Sequence, residues 1–426
     1  MCGNPTLKPI LSLGEQPLSG VFPKPEAPDP SVSPLDLIRC DTAGRPDACG
    51  LVQLRHSAEL SEMYGSTYGY YSSISPTMVS HLESHVHRLV AFAKPRKGEV
   101  VLDIGCNDGT LLNTYGAEAG LVRIGMDPSS AKFRSHFQSD IQVVYDFFSA
   151  AGARTLIGDR QIKIITSIAM FYDLDDPMAF MRDVRALLAP DGVWALELSY
   201  LPLFMTQLSY DQMCHEHVTY LALTQMDWMM KRTGLKILDV SFNDVNGGSF
   251  FIIAARDDAP YQPETAKIKA ILDAERPLEG EAPYTRLGNR IEAHRDEVRH
   301  FLSLARAAGK RVYGYGASTK GNIVLNYCGV TGKDLLAIGD RNPEKDGLTM
   351  PGTRIPIIAH AALRDLKPDY LFVLIWHLRK EVIQDEVDYL KRGGKMVFDL
   401  PRLHVVDATN YQRYLDTPFE DLGYSL

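Results

Sequence analysis

Segments typical of buried strands alternate with helical segments in two stretches of this chain, and each stretch opens with a glycine turn. The strand segments of the first stretch are GEVVLDIG, VRIGMD, IQVVYDFF, IKIITSIAM and GVWALELSY, followed by KILDVSFND and GSFFIIAARD as a closing pair. Those of the second stretch are KRVYGYGAS, LLAIGDRN, PDYLFVLIWH and GGKMVFDLP. Strands that alternate with helices form a doubly wound sheet. The sequence therefore predicts an α/β chain with two such units, joined by a polar helical stretch at about 262–309.

Composition excludes several classes of protein. The chain has 426 residues, a net charge of −8 and a pI near 5.9, which predicts two or three cores and argues against a general nucleic-acid binder. The sequence contains no apolar run of about 18 residues, and its start, MCGNPTLKP, lacks the pattern of a signal peptide. Its six cysteines are too sparse for a disulfide scaffold. We therefore expect a cytoplasmic protein with reduced thiols and no membrane partner.

Two histidines lie on a helix that the apolar spacing predicts from about Thr77, through MVSHLESHVHRLVAFA. His81 and His85 are four residues apart and could form a metal pair. Because no third ligand is evident in the sequence, we interpret them as ordinary residues of the helix face. The preceding 60 or so residues are rich in proline and glycine and suggest short strands near Ile38 and Val52.

The first glycine turn, VLDIGCNDGTLL, has the features of a cofactor pocket. Ligands bind at the carboxyl ends of parallel strands above a helix N-terminus, where glycine permits close approach. The spacing D-x-G-x-x-x-G differs from the G-x-G-x-x-G of an NAD site, and a carboxylate in the turn suits a cationic ligand. Over about residues 95–200 the pattern resembles class I S-adenosylmethionine-dependent methyltransferases. The predicted cofactor residues, with a ribose-binding acid after the second strand and adenine contacts after the third, are Asp103, Gly105, Asn107, Gly109, Asp127, Asp146 and Phe147.

The segment SYDQMCHEHVTY is the densest cluster of chemically active residues. An imidazole beside a carboxylate can act as a general base near neutral pH, so His215, Glu216 and His217 are catalytic candidates. Two other interpretations stay open from the residues alone. The segment could bind zinc with Cys214, although adjacent residues rarely converge on one ion, or it could be a polar surface loop.

Eight segments taken together resemble the NDP-hexose C-methyltransferases, enzymes that install methyl branches on deoxysugars. In chain order they are LSLGEQPLSG, CGLVQLRH, MYGSTYGYYSS, TMVSHL, VLDIGCNDGTLL, CHEH, NGGSF and GYGASTKGN. The likeness extends over essentially the whole chain. It implies a small zinc-binding module at 1–65, a Rossmann-like class I methyltransferase domain at 66–260, and a C-terminal α/β domain at 261–426 that binds the nucleotide sugar.

The resemblance also implies a mechanism. His217 would remove a proton from the carbon next to a ketone, and the enolate would attack the methyl group of S-adenosylmethionine. Glu216 would orient the base or contact the substrate, and Tyr70 would line the sugar pocket. The chain departs from some members at Cys214, where they have a tyrosine, and at Tyr172, where they have a histidine. We therefore expect Tyr172 and Cys214 to contact the substrate and the identity of the sugar to differ.

The glycine turn of the second stretch, VYGYGASTKGN, predicts an anion site. Backbone amides at a helix start, hydroxyl groups and a lysine suit the diphosphate of a nucleotide sugar better than a second cofactor. The alternative is a degenerate turn without a ligand. Trp376 and His377 end a later strand and are interpreted as capping residues. The predicted substrate residues here and in the NDVNGGS hairpin, which could also be a simple turn, are Asn246, Ser318, Lys320 and Asn322.

The resemblance implies two C-x-x-C pairs around a structural zinc ion. Here Cys2 aligns with the second cysteine of the first pair, and the insertion TAGRPDA separates Cys40 from Cys49. These three cysteines are the predicted zinc ligands, and His56 is a candidate for the fourth position. The alternative is that the cysteines hold no metal.

The sequence thus predicts a monomeric S-adenosylmethionine-dependent C-methyltransferase whose substrate is a nucleotide-linked keto-deoxysugar. O-methylation of a sugar or another small molecule stays open, since the same base would serve a hydroxyl group. Methylation of a nucleic acid by a zinc-module enzyme is a further alternative, against which the acidic composition argues. The sequence does not identify the sugar, the nucleotide, the methylated carbon or the pathway.

Overall fold

Three β-sheets organise the computed structural model, which describes residues 1–57 and 71–417. The N-terminal sheet has the strand order β1-β2-β3-β9, the central sheet β10-β11-β8-β7-β4-β5-β6, and the C-terminal sheet β14-β13-β12-β15-β16-β17. The strands are β1 Leu7–Pro17, β2 Val32–Cys40, β3 Val52–Leu54, β4 Val100–Ile104, β5 Val122–Met126, β6 Gln142–Val144, β7 Ile162–Ile168, β8 Leu188–Ser199, β9 Thr219–Tyr220, β10 Leu235–Asn243, β11 Ser249–Arg256, β12 Val312–Tyr315, β13 Ile338–Asp340, β14 Ile357–Ala359, β15 Tyr370–Val373, β16 Lys395–Phe398 and β17 His404–Val406.

The central sheet is parallel from β6 to β8, and β11 and β10 complete it as antiparallel strands. Strands β4 and β7 are buried almost throughout because helices cover both faces, which explains their continuous apolar sequences. Strand β4 lies between β5 and β7, so the strand order reverses there. The carboxyl ends of these three strands therefore border a crevice that can admit a ligand.

The N-terminal sheet takes its fourth strand from the HEH segment. Val52 pairs with Tyr220, and the backbone N–H of Leu54 donates to the carbonyl oxygen of Val218 at 2.9 Å. This pairing satisfies backbone groups of both segments and fixes the chain directly after His217. The N-terminal module is thus part of the wall that holds the catalytic candidates.

The C-terminal sheet is parallel from β14 to β16, with β17 antiparallel at its edge. The loop between β1 and β2 packs against this unit. The backbone N–H of Thr349 donates to the carbonyl oxygen of Pro23 at 2.9 Å, and Arg354 pairs with Asp29 at 3.1 Å. The first and last parts of the chain are therefore in direct contact.

The helices begin and end where the local sequence supplies caps. Ser75 caps α1 by accepting from the N–H of Met78 at 3.3 Å, and proline is the first helical residue. None of the described helices has the length and apolar content needed to cross a membrane. The helices are α1 Pro76–Ala93, α2 Thr110–Thr114, α3 Ala150–Ile157, α4 Pro177–Leu187, α5 Leu201–Thr206, α6 Leu223–Thr233, α7 Thr265–Glu275, α8 Ala282–Ala307, α9 Thr319–Tyr327, α10 Ala362–Asp365, α11 Arg379–Asp385, α12 Val387–Lys391 and α13 Tyr411–Asp416.

The predicted α/β architecture is confirmed, and each strand segment predicted in the two units forms a strand. The prediction missed β9, β14 and β17, which have two or three residues each and are too short for periodicity to reveal. It also made the N-terminal strands too short, since β1 and β2 form a hairpin of 11 and 9 residues. The domain boundaries at 65 and 260 remain a prediction.

We predict that Glu275→Ala destabilises the protein by about 3 kcal/mol, because buried charge-assisted hydrogen bonds are lost and their donors stay unpaired. The buried Glu275 carboxylate accepts from the Tyr200 hydroxyl at 2.7 Å and from the first backbone N–H groups of α6, those of Leu223 and Thr224, at 2.8 and 2.7 Å. The measurement is the urea dependence of unfolding. The exposed Glu279→Ala is the control, and equal midpoints for both variants would contradict the prediction.

Candidate active site

A cavity of about 660 Å³ lies between the central and C-terminal sheets, and the loop after β1 closes part of it. Residues of all three parts of the chain line this cavity. The polar side chains from the methyltransferase part include Asp103, Asn107, Asp127, Tyr172, Glu197, Glu216 and His217. Those from the C-terminal part are Ser318, Thr319, Lys320, Asp340, Asn342, Lys345 and His377.

The first glycine turn forms the end of the cavity at the carboxyl edge of β4. Gly105 has φ +74°, and a Cβ atom there would lie 3.1 Å from the Met170 side chain, so glycine is required for this close approach. Asp103 accepts from the Thr166 hydroxyl at 2.6 Å. Burial raises the pKa of Asp103 to about 7, and the charge of Asp127 adds to the shift. Within residues 1–57 and 71–417 no cationic side chain pairs with this buried carboxylate, which suits the positively charged amino-acid end of S-adenosylmethionine.

The other predicted cofactor residues divide into two groups. Asp127 lines the cavity while its two oxygens accept from the backbone N–H groups of Asn107 and Ser129, at 2.8 and 2.6 Å. Its remaining lone pairs can accept from a ribose diol. Gly109 lies outside the cavity lining, at the N-cap of α2 with φ +81°. It permits the turn but makes no part of the wall.

The adenine contacts predicted after the third strand are only partly placed on the cavity. Phe147 lines it, together with Phe148, which the sequence interpretation missed. Asp146 is exposed, accepts from the backbone N–H of Phe147 at 2.8 Å and is absent from the lining. The aromatic side chains are therefore better candidates than the carboxylate for contact with an adenine ring.

His217 faces the cavity with a defined tautomer. Its Nδ1 lies 3.0 Å from the carbonyl oxygen of Gln212, which can only accept, so Nδ1 carries the proton and Nε2 has the free lone pair. Burial, together with the positive charge of Lys320, lowers the pKa of His217 to about 3. The Tyr172 ring packs 4.3 Å from the imidazole, centroid to centroid. His217 is thus a neutral, oriented proton acceptor.

The other two members of the HEH run have different surroundings. The Nε2 of His215 lies 3.1 Å from the carbonyl oxygen of Ser33 in β2, and His215 is absent from the cavity lining. Glu216 lines the cavity, and its Oε2 is buried without a hydrogen-bond partner among the described residues. Burial raises the pKa of Glu216. The geometry therefore favours His217 and Glu216 as active groups and gives His215 a structural contact with the N-terminal module.

The C-terminal turn brings its lysine to the HEH segment. Ser318 caps α9 by accepting from the N–H of Gly321 at 2.9 Å, and it lines the cavity. The Lys320 ammonium donates to the carbonyl oxygen of Asn246 at 3.1 Å, so two predicted substrate residues meet there. Asn322 is fully buried and absent from the lining.

Tyr172 and Cys214 also line the cavity, as does Asn246. His377, which the sequence interpretation treated as a strand cap, lines it too. Tyr70 lies outside the described residues. Its predicted role stays a prediction.

His81 and His85 have a third polar partner, so the interpretation that no third ligand is available to them was wrong. Their Nε2 atoms lie 2.7 and 2.8 Å from the two carboxylate oxygens of Glu197 in β8, and 3.0 Å from each other. Although burial raises the pKa of Glu197, the two histidines outweigh it and hold the value near 2. This set has the composition of a metal site, and Glu197 also accepts from the Asn243 amide at 2.6 Å, so the carboxylate has three polar partners. No sequence signal links the histidines to a strand more than 100 residues away.

The three predicted zinc ligands converge. The Sγ atoms of Cys2, Cys40 and Cys49 lie within 4.8 Å of one another, and those of Cys2 and Cys40 are 3.6 Å apart. Thiolates at about 2.3 Å from a tetrahedral zinc ion are separated by about 3.8 Å, so the cysteines fit this metal. His56 lies beside Asp36 at 3.8 Å and is not in the cluster. Such a site would be structural, because the cysteines are absent from the lining of the cavity.

Comparisons with known proteins agree with this division of the chain. Residues 1–64 match the family model described as "Putative zinc binding domain", residues 78–240 the model "Methyltransferase domain", and residues 244–401 the model "C-methyltransferase C-terminal domain". The chain is 28% identical over 414 residues to the C-methyltransferase NovU of Streptomyces niveus, which covers 96% of each chain.

Two further similarities cover less of the chain. A tRNA U34 carboxymethyltransferase of Pseudoalteromonas translucida is 30% identical over 115 residues, which is 26% of this chain and 35% of that relative. Among solved structures, magnesium protoporphyrin IX methyltransferase of Synechocystis PCC 6803 with bound SAH has a TM-score of 0.33 and 16% identity, covering 42% of this chain and 83% of that chain.

We predict that purified protein contains about one zinc ion per chain, and that Cys40→Ser and Cys49→Ser each lose it, because three thiolates are needed to hold the tetrahedral ion. Inductively coupled plasma mass spectrometry measures the metal content. Cys328→Ser, a buried cysteine outside the cluster, is the matched control and should retain zinc. Wild-type protein without zinc would contradict the assignment.

We predict that S-adenosylmethionine binds roughly tenfold more weakly at pH 6 than at pH 7.5. The pKa of Asp103 is raised to about 7, so the carboxylate that attracts the cationic ligand is present above this pH and is neutralised as the pH falls through it. Isothermal titration calorimetry measures the affinity. Asp103→Asn should bind weakly at both pH values, and the same pH dependence in this variant would assign the effect to another group.

The chain therefore combines a cofactor crevice at the reversal of a doubly wound sheet, an oriented histidine in the same cavity and matches to all three domain models in their proper order. With these matches and its likeness to NovU over 96% of the chain, the protein is an S-adenosylmethionine-dependent C-methyltransferase whose residues 1–64 match a zinc-binding domain.

Proposed function

We propose that this enzyme methylates the carbon next to the ketone of a nucleotide-linked keto-deoxysugar and that His217 is the base. The observation that carries the proposal is the fixed tautomer of His217. The carbonyl oxygen of Gln212 holds the Nδ1 proton, so Nε2 offers its lone pair in the cavity that Asp103 and Asp127 also line.

A carbon acid beside a carbonyl group needs a positioned base and a stabilised oxygen. Nε2 of His217 takes the proton, and the electron pair of the broken C–H bond moves into the enolate. S-adenosylmethionine supplies an electrophilic methyl carbon, onto which the enolate carbon forms its new bond as the carbon–sulfur bond breaks. Glu216, with an unpaired buried oxygen among the described residues, can accept from a sugar hydroxyl group.

The nucleotide end of the substrate is assigned to the C-terminal side of the cavity. Lys345 lines that side and its ammonium lies 4.5 Å from the centre of the Phe22 ring, which comes from the loop after β1. Asp340 accepts from the backbone N–H groups of Ala317 and Asn342, at 2.7 and 2.8 Å. A lysine, an aromatic ring and backbone groups at a strand end suit a diphosphate and its nucleoside.

The proposed substrate is a small molecule, and we further propose that the enzyme acts on it as a monomer. None of the six cysteines forms a disulfide in the structure, which agrees with the proposed cytoplasmic location.

The test incubates the protein with S-adenosylmethionine and a set of nucleotide-linked 4-keto-deoxysugars in heavy water. We expect a mass gain of about 14 Da and deuterium at the carbon next to the ketone, because enolate formation exchanges that proton. His217→Ala should lose both, by about 10²-fold or more, since the general base is removed. Mass spectrometry measures both signals.

The exposed His300→Ala is the control and should behave as wild type. A mass gain without deuterium exchange before methylation, retained in His217→Ala, would favour O-methylation. No gain with any keto-sugar, while S-adenosylmethionine binds, would overturn the assigned substrate class.

A further inference from the structure

His377 lies in a short turn that packs against the HEH segment. It lies in the turn Trp376–Leu378 after β15, and the Trp376 indole N–H donates to the Asp211 carboxylate at 2.8 Å. Asp211 directly precedes Gln212, whose carbonyl oxygen orients His217. Asp211 thus positions His377 through Trp376, and the adjacent Gln212 positions His217. The two histidines come from different α/β units and lie beside the same cavity.

The packing between these turns leaves little freedom. A Cβ atom at Gly247, in the hairpin before β11, would lie 3.0 Å from the Trp376 ring. The same hairpin supplies the carbonyl oxygen of Asn246, to which the Lys320 ammonium donates at 3.1 Å. Lys320 and His377 are therefore both fixed to elements that also hold His217.

Lys320 and His377 keep surface towards the cavity, although protein surrounds them on their other sides. The Nδ1 of His377 is buried and has no hydrogen-bond partner among the described residues, which is costly unless a bound molecule completes it. Burial and the positive charge of Lys320 both lower the pKa of His377, so its imidazole is neutral and can donate from one ring nitrogen. Burial lowers the pKa of Lys320, and the charge of Asp211 opposes that shift and favours the ammonium form.

We propose that Lys320 and His377 form the binding site of the substrate's carbonyl oxygen, with His377 donating a hydrogen bond and Lys320 neutralising the enolate charge. This inference rests on the proposed function and extends it. The methyltransferase part supplies the base, and the C-terminal part supplies the oxyanion site. Neither part alone then holds a complete active site.

The charges that form during proton transfer balance only when the methyltransferase part and the C-terminal part act together. The proton moves from the carbon to Nε2 of His217, and the electron pair of the C–H bond moves through the new carbon–carbon double bond to the carbonyl oxygen. An imidazolium ion at His217 is unfavourable by itself, because burial and the positive charge of Lys320 both lower the pKa of this histidine. The enolate oxygen places a negative charge between the two cations, so proton transfer becomes favourable only with a ketone in position.

The experiment measures deuterium exchange at the carbon next to the ketone, with S-adenosylhomocysteine in place of the methyl donor. We expect His377→Phe, which keeps the ring volume and removes the donor, to slow exchange about 10²- to 10³-fold. Its affinity for S-adenosylhomocysteine should stay within about twofold of wild type, which shows that the variant is folded. His377→Asn keeps a donor and should retain more exchange than the phenylalanine variant.

A second variant tests the lysine. Lys320→Met should slow exchange by a similar factor. It should also move the acid limb of the pH profile to higher pH, because burial still lowers the pKa of His217 in this variant but the cation no longer adds to that shift. A merely structural lysine would leave the shape of that profile unchanged. His300→Phe, an exposed histidine on α8, is the matched control.

The outcomes separate the two proposals. Wild-type exchange that His377→Phe and Lys320→Met both retain would overturn the oxyanion site and leave the proposed function standing. Wild-type protein that neither exchanges nor methylates any keto-sugar would overturn the proposed function, and the oxyanion site would fall with it.

Discussion

The turn Tyr210–Gln212 holds the catalytic side of the molecule together. Its Gln212 carbonyl oxygen accepts from Nδ1 of His217 and from the Tyr220 hydroxyl, at 3.0 and 3.1 Å. Its Tyr210 hydroxyl meets Nδ1 of His294 in α8 at 3.0 Å, and its Asp211 binds the Trp376 indole. All three residues of the turn are buried. Because one short segment contacts the N-terminal sheet, α8 and the C-terminal unit, the cavity exists only when all of these parts are packed.

The buried charges of this cavity differ in how well other residues of the protein pair with them. Burying an ion costs several kcal/mol unless it is well paired, so each buried charge here is informative. Glu197 is satisfied by His81, His85 and Asn243, and it needs nothing from a ligand. Asp103 has a neutral hydroxyl partner instead. In the proposed reaction, the cationic methyl donor completes the site at Asp103, and the enolate oxygen completes it at Lys320.

The spacing of residues in the sequence was enough to predict much of the cofactor site. Asp103 lies in strand β4, and Gly105 and Asn107 lie in the turn that leads directly to helix α2, so their placement follows from that local geometry alone. The same logic failed at Asp146, because the exposed loop after β6 turns the carboxylate outward and presents Phe147 and Phe148 instead. Spacing also could not separate His215 from His217. The first contacts the carbonyl oxygen of Ser33 in β2, more than 180 residues away in the chain.

The sequence by itself determined the two α/β units, the cofactor turn and, through family resemblance, the identity of the candidate base. These depend on hydrophobic periodicity and on contacts between neighbouring segments, which the order of residues displays directly. Only the tertiary structure decided that His377 and Lys320 face the HEH segment and that Glu197 joins His81 and His85. Each of these groupings brings together residues far apart in the chain. Their distances follow from the packing of whole sheets and helices, and no local pattern in a single sequence records that packing.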